Sequence, residues 1–300
     1  MLPFKLVYHP GYDLNLGAHV FPSRKYRLIR NRLLEEHFAA PADFIAPEPA
    51  CDRDILRVHD RGWVQRLKLG TLSDKELTKL EIPYSPEMVT AFWLATGGSI
   101  LAARNALTDR IGFNIGGGFH HAFPGHGEGF CAIHDVAVAI RALQHEGVIE
   151  RALVMDCDVH HGNGTAAIFA GDRSVLTVSM HQFHNYPSEK PDSIIDIHLR
   201  DGVEDEEYLS RLEDTLAVVM GFGPNLVFYL AGADPYREDQ LGGLALTMDG
   251  LKQRDRLVFE ATLSQNVPVA VVLAGGYARN TEDTVTIHCN TAKAANEALS

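Results

Sequence analysis

Cysteine is scarce in this chain: Cys51, Cys131, Cys157 and Cys289 are the only four, and no two stand in a CxxC pair. That excludes a zinc ribbon and a disulfide framework, and leaves reduced, mostly buried thiols. Basic charge is also short. With 27 Lys and Arg against 39 Asp and Glu, the net charge is −12, which excludes a binder of nucleic-acid backbone and suits either a cationic substrate or plain solubility. No apolar run reaches membrane-spanning length. The first eight residues, Met1-Leu-Pro-Phe-Lys-Leu-Val-Tyr8, lack the charged start and apolar core of a signal peptide. The expectation is a cytoplasmic protein with neither nucleic acid nor membrane as partner. Repeats, low-complexity tracts and long linkers are missing too, so residues 1–300 are expected to form a single domain; oligomeric state leaves no trace in the sequence.

What is present is an alternation of short apolar runs with longer amphipathic ones. Strands are expected at residues 5–8, 110–115, 152–158, 174–180, 226–230 and 267–273. Helices are expected at 25–38, 52–69, 85–107, 135–146, 205–220, 251–264 and 290–299, with residues 41–49 a proline-rich connector. Such alternation implies βαβ units and an α/β fold, a mostly parallel sheet flanked by helices. Ser85-Pro86 supplies a cap and a first-turn proline, Gly97-Gly98 permits close packing, and Asp135 is expected to cap its helix. His59, alone within its expected helix, reads as a structural histidine.

The densest chemistry lies in Ala152-Leu-Val-Met-Asp-Cys-Asp-Val-His-His-Gly-Asn-Gly-Thr165. Asp156, Asp158 and His160 are spaced by two and share one side of an extended chain. A polar turn after a strand would explain an Asp or an Asn, but not this density of acids and imidazoles. In an open parallel sheet, ligands bind beyond the carboxyl ends of the strands. Four expected strands release polar or glycine-rich segments there: residues 116–121, 156–164, 232–234 and 275–277. Asp158, His160 and Asp234 make a ligand set that leaves coordination open for water and substrate, so Zn2+ is expected; the same donors accept Fe2+ or Co2+. His120 and His121 follow three glycines and read as proton-transfer groups. Tyr277, behind Gly275-Gly276, is placed to donate to a developing oxyanion.

Taken together, Gly117-Gly118-Phe119-His120-His121-Ala122, Gly129-Phe130-Cys131, Asp156-x-Asp158-Val-His160-His161-Gly162-Asn163-Gly164-Thr165, Ala231-Gly-Ala-Asp234 and Gly275-Gly276-Tyr277 resemble the zinc-dependent histone deacetylase family. The resemblance runs from His9 to about Ile287, and Asp239-Gln-Leu-Gly-Gly-Leu244 with Asp205-Glu-Glu-Tyr208 is most similar to the class IV branch and its bacterial relatives. It implies the arginase-deacetylase fold and hydrolysis of an Nε-acyl-lysine or another acylated amine. Asp158, His160 and Asp234 become the metal ligands, His121 the general base and then acid, His120 its electrostatic partner paired with Asp156, and Tyr277 the group polarising the acyl carbonyl. Phe130 lines the acyl channel, with Gly118, Phe119, Gly275 and Gly276 also in its wall. A structural K+ is implied at Asp156, Asp158, His160, Ser179 and Met180. One departure is Asn163, an amide where class I members carry an acid; it can orient His121 but stabilises its cation less. A second is residues 181–187, which give no clear match to the second aromatic wall of the channel.

A two-metal ureohydrolase would need bridging carboxylates where this chain has Gly162 and Gly232. A non-catalytic acyl-lysine reader would be expected to lack a ligand, a catalytic histidine or the tyrosine, and none is missing. An acetylpolyamine or other small-molecule amide remains the alternative substrate. The class IV likeness implies a preference for long acyl chains, with Phe130 and either Phe183 or Tyr186 as apolar wall.

Overall fold

The computed structural model describes residues 1–300. Eight strands form one sheet: β1 (Leu6–Val7), β2 (Phe44–Ile45), β3 (Ile111–Asn114), β4 (Ala152–Asp156), β5 (Val175–Gln182), β6 (Ile195–Leu199), β7 (Leu226–Leu230) and β8 (Val269–Val272). Their order is β2-β1-β3-β8-β7-β4-β5-β6, and every pairing is parallel. Parallel strands need helical crossovers, which cover both faces, so central strands read as unbroken apolar runs; β7, Leu-Val-Phe-Tyr-Leu, is buried throughout. Alternate residues serve two cores. Val227 and Tyr229 join the larger one with Met155 and Val271, while Leu226, Phe228 and Leu230 join the smaller with Val154 and Ala270.

The helix Pro86–Asp109 begins as its sequence suggests, with Ser85 Oγ accepting from the Met88 N–H at 3.0 Å. Gly97 sits there because a Cβ would run into the carbonyl oxygen of Glu48. No helix is long and apolar enough to cross a membrane.

Several boundaries differ from the sequence reading, each for a local reason. The expected helix over 52–69 is two, Asp52–Ile55 and Arg61–Leu69, separated by a turn carrying His59. The proline-rich connector holds β2. The helix Asp74–Leu80 carries a capping box, with Ser73 Oγ accepting from the Glu76 N–H and Glu76 Oε2 accepting from the Ser73 N–H. The terminal helix starts at Thr281 rather than at 290, capped by Asn280. His134, not Asp135, caps the helix Asp135–His145, its Nδ1 accepting from the Ala137 N–H at 3.2 Å. The Asp135 carboxylate instead accepts from the N–H groups of Gly118 and Phe119. It pins the glycine loop after β3.

Candidate active site

The loops after β3, β4, β7 and β8 converge beyond the carboxyl edge of the sheet, where the topology places a site. β4 ends at Asp156, two residues before the expected end, because aspartate side chains take over from the ladder. Asp156 Oδ1 accepts from the Asp158 N–H (3.1 Å), and Asp158 Oδ1 accepts from the His160 N–H (2.9 Å). These turns bring Asp158 and His160 to Asp234 from the β7 loop. The ligand atoms of the three lie within 4.8 Å of one another, all buried.

The surrounding hydrogen bonds aim this trio. Gly275 N–H donates to Asp158 Oδ2 (2.7 Å) and Val159 N–H to Asp234 Oδ1 (2.9 Å). Gly275 approaches so closely that a Cβ would collide with the Asp234 carboxylate. Asp234 Oδ2 is buried and has no hydrogen-bond partner, the mark of a group that awaits a cation. Burial and the neighbouring Asp158 charge push the Asp234 carboxyl up to about 7. Burial lowers His160, but its hydrogen bond to Asp158 and the charges of Asp158 and Asp234 raise it to about 10 overall. Two buried carboxylates beside one imidazole repel each other unless positive charge joins them, and these donors fit one divalent metal ion. His161, His181 and Asp196 form a second group at similar spacing.

His120 and His121 lie against the trio. His120 Nδ1–H donates to Asp156 Oδ2 (2.7 Å). Burial disfavours its cation, but the charges of Asp156 and Asp158 prevail and raise it to about 9. His121 Nδ1–H donates to Asn163 Oδ1 (2.7 Å), and the Nε2 atoms of the two rings are 3.1 Å apart. Burial, then the His120 and His160 rings, hold His121 well below its ordinary value. The adjacent imidazoles thus occupy opposite protonation environments. Tyr277 is buried against Phe130 and Phe21, and burial followed by the Asp158 and Asp234 charges raises its phenol, which keeps its proton.

A cavity of about 410 Å³ opens on this cluster, lined by His121, His160, Phe130, Tyr186, Leu241 and Tyr277, with His19 and Glu81 also in its wall. Tyr186, from the segment without a clear aromatic match, stands edge-on to His121 with ring centroids 4.9 Å apart. Phe183 points elsewhere and is 47% exposed. A smaller inner space of about 20 Å³ is lined by Gly118, Phe119, Cys131, Gly275 and the catalytic candidates. Gly276 borders neither space; its α-carbon faces Thr284 and Ala233. Phe130 and Ala274 adopt φ of 68° and 52°, conformations that non-glycine residues seldom take, at the cavity wall and the β8 loop. Ser179 pairs with Asp156 across β4 and β5, its hydroxyl 3.4 Å from the Gly162 N–H, and Met180 follows it in β5.

Sequence reasoning passed over three supporting residues. Asp239 Oδ2 accepts from the Tyr277 N–H (2.6 Å) and fixes that residue. Lys25 Nζ, fully buried, donates to Ala274 O (2.9 Å) and lies 5.8 Å from the Tyr277 ring centroid. Burial lowers Lys25 to about 8 against the pull of Asp234, Asp158 and Asp239. Glu128 accepts from Asn163 Nδ2. Tyr186, one of the two wall residues the sequence offered, supplies the second aromatic wall. Lys25 had a visible signal, being one turn before Ile29 on the apolar face of its helix; Glu128 had none.

A sequence pattern described as the histone deacetylase domain matches residues 19–292. An uncharacterised protein of Picosynechococcus sp. is 41% identical, covering 98% of this chain and 99% of its own length. Histone deacetylase 2 of Arabidopsis thaliana is 30% identical over 92% of this chain and 75% of that protein. In fold, the crystal structure of a histone deacetylase homologue from Aquifex aeolicus superimposes with a TM-score of 0.82 at 23% identity, covering 97% of this chain and 83% of that one. With the family pattern spanning most of its length and its eight-stranded parallel sheet presenting the buried acid–imidazole trio, this chain belongs to the histone deacetylase family and has the arginase-deacetylase fold.

Proposed function

We propose that this family hydrolase is a zinc-dependent deacetylase acting on an Nε-acetyl-lysine or a related acetylated amine, with residues 1–300 forming one catalytic unit in the cytoplasm. The observation that carries this reading is the unpartnered, buried Oδ2 of Asp234, beside Asp158 and His160 at the floor of an aromatic-walled cavity. Asp158, His160 and Asp234 would hold Zn2+, with Fe2+ or Co2+ as substitutes. When bound, such a metal lowers the pKa of water and polarises an acyl oxygen.

The remaining chemistry belongs to the chain's own groups. His121, held neutral, takes the proton of the attacking water and returns it to the departing amine. His120, held cationic by Asp156, stabilises negative charge as it develops. The Tyr277 hydroxyl donates to the tetrahedral oxyanion, anchored through its backbone by Asp239. Phe130 and Tyr186 sandwich the extended amine-side chain of the substrate and exclude water. A K+ bound at the backbone of Asp156, Asp158 and His160 with Ser179 and Met180 would brace the loop after β4.

The size of the inner space supports a short acyl group. At about 20 Å³, it admits little more than a water or a methyl group. This favours acetyl and departs from the long-chain preference that the class IV likeness implies. The test is kcat/KM for one lysine peptide carrying acetyl, butyryl, octanoyl or myristoyl, with acetylated polyamines alongside. Acetyl is expected to lead, with a fall toward longer chains. A rise along the series would overturn the short-acyl reading, and release of no acyl group from any member would overturn deacylation itself.

A further inference from the structure

The support of His121 rests on an amide, and an amide has two unlike ends. Oδ1 of Asn163 only accepts, and Nδ2 only donates. With Oδ1 toward the ring, His121 carries its proton on Nδ1 and keeps the Nε2 lone pair. With Nδ2 toward the ring, Nδ1 must accept, and the proton moves to Nε2, where the ring can take no other. Nothing within Asn163 chooses between these states.

The His120 ring, its Nε2 3.1 Å from His121 Nε2, favours a bare Nε2 from one side, and Glu128 fixes the amide from the other. Its Oε1 accepts from Asn163 Nδ2, and an ionised carboxylate accepts only. The carboxyl is buried, 5% exposed, yet stays ionised. Burial pushes it up, but hydrogen bonds from His126, Lys79 and Asn163 and the Lys79 charge bring it to about 2. Lys79 Nζ lies 2.6 Å from Oε2, and the Tyr186 hydroxyl donates to Oε1 at 3.4 Å. The backbone fixes the whole: Glu128 N–H donates to Cys131 O and Cys131 N–H to Glu128 O, while the N–H groups of Gly129 and Phe130 donate to Lys79 O and Leu80 O. One turn therefore delivers Phe130 to the cavity wall and Glu128 behind Asn163.

We propose that Glu128 is a positioning residue for deacylation: its acceptor-only carboxylate orients the Asn163 amide so that His121 is protonated at Nδ1 and bare at Nε2. This rests on the reading of His121 as the proton-transfer group.

The test uses Glu128→Gln, Asn163→Asp and the double variant in the zinc-loaded protein. In Glu128→Gln the introduced amide can face Asn163 with either end, so kcat should fall roughly tenfold or more with KM within about twofold. Asn163→Asp alone sets two carboxylates head to head and should also fall. In the double variant the introduced amide donates to the introduced carboxylate, which accepts from His121, so kcat should recover at least about fivefold over Glu128→Gln. A merely structural role for Glu128 predicts the reverse, with two losses compounding. Long-range 1H–15N NMR of the histidines supplies a readout apart from turnover: His121 Nε2 should be unprotonated in the parent and lose that signature in Glu128→Gln. An unchanged kcat and tautomer in Glu128→Gln, or a double variant no better than it, overturns the proposal. Should the parent deacylate nothing, the catalytic reading fails on its own, and the NMR comparison still decides the role of Glu128.

Discussion

His59 makes the fold sensitive to acid, and its geometry gives the size of the effect. Its Nδ1–H donates to Phe123 O (3.0 Å), and its Nε2 accepts from the His134 N–H (2.9 Å). His134 in turn reaches Thr165 through Nε2 (2.8 Å), so the pair ties the loop bearing His120 and His121 to the helix bearing Asn163. Both nitrogens of His59 are used in the neutral form, and a second proton would meet the His134 N–H head-on. Burial lowers His59 from 6.5 to about 4, and burial also lowers His134. Between these pH values the unfolded chain binds a proton that the folded one refuses. The stability contributed is therefore complete above about pH 6.5 and lost as pH falls to about 4. A gap of about 2.5 at about 1.4 kcal/mol per unit is about 3.5 kcal/mol, a large share of a typical folding free energy. In His59→Gln the amide reproduces both hydrogen bonds without titrating. Urea unfolding from about pH 7 to about pH 4.5 should show a slope shallower in the variant by up to about 1.4 kcal/mol per pH unit. Parallel stability curves would refute the assignment.

Tyr277→Phe should fold and keep its metal but lose about a hundredfold in kcat with KM little changed, because the hydroxyl acts on the oxyanion; near-normal kcat would remove it from the mechanism. Gly275→Ala places a methyl against the Asp234 and Asp158 carboxylates. Zinc affinity measured by competition with a chelator should drop about tenfold or more, and unchanged affinity would show that this close approach is not part of the ligand frame.

The parts of the fold legible in sequence were those with an unambiguous local pattern. β4, β7 and β8 are apolar runs that break abruptly into glycine and acid, and that break is itself the edge of a parallel sheet. β2 and β6 were hidden: two residues among prolines carry no period, and β6 is half exposed at the sheet edge. The terminal helix was shortened because Thr281 to Cys289 mixes β-branched and polar residues that propensity alone disfavours, while packing against the helices Lys25–Glu35 and Met248–Leu263 overrides it. Among the site candidates, Asp158 and His160 announced themselves by crowding, and Asp234 by following the end of an apolar strand. Glu128 and Lys25 could not, since their meaning depends on contacts across 35 and 249 residues of chain. Asp135 was legible as a polar residue at a helix start, yet its partners are the loop amides across the site.

The most direct trial of the proposed chemistry measures metal content and acetate release together on an acetyl-lysine peptide. The parent protein should bind one zinc per chain, lose turnover on chelation and regain it when zinc is returned, while Asp158→Ala and Asp234→Ala should hold no catalytic metal and release no acetate. Acetate release by the chelated parent, or by either variant at the parent's rate, would contradict a metal centre at Asp158, His160 and Asp234.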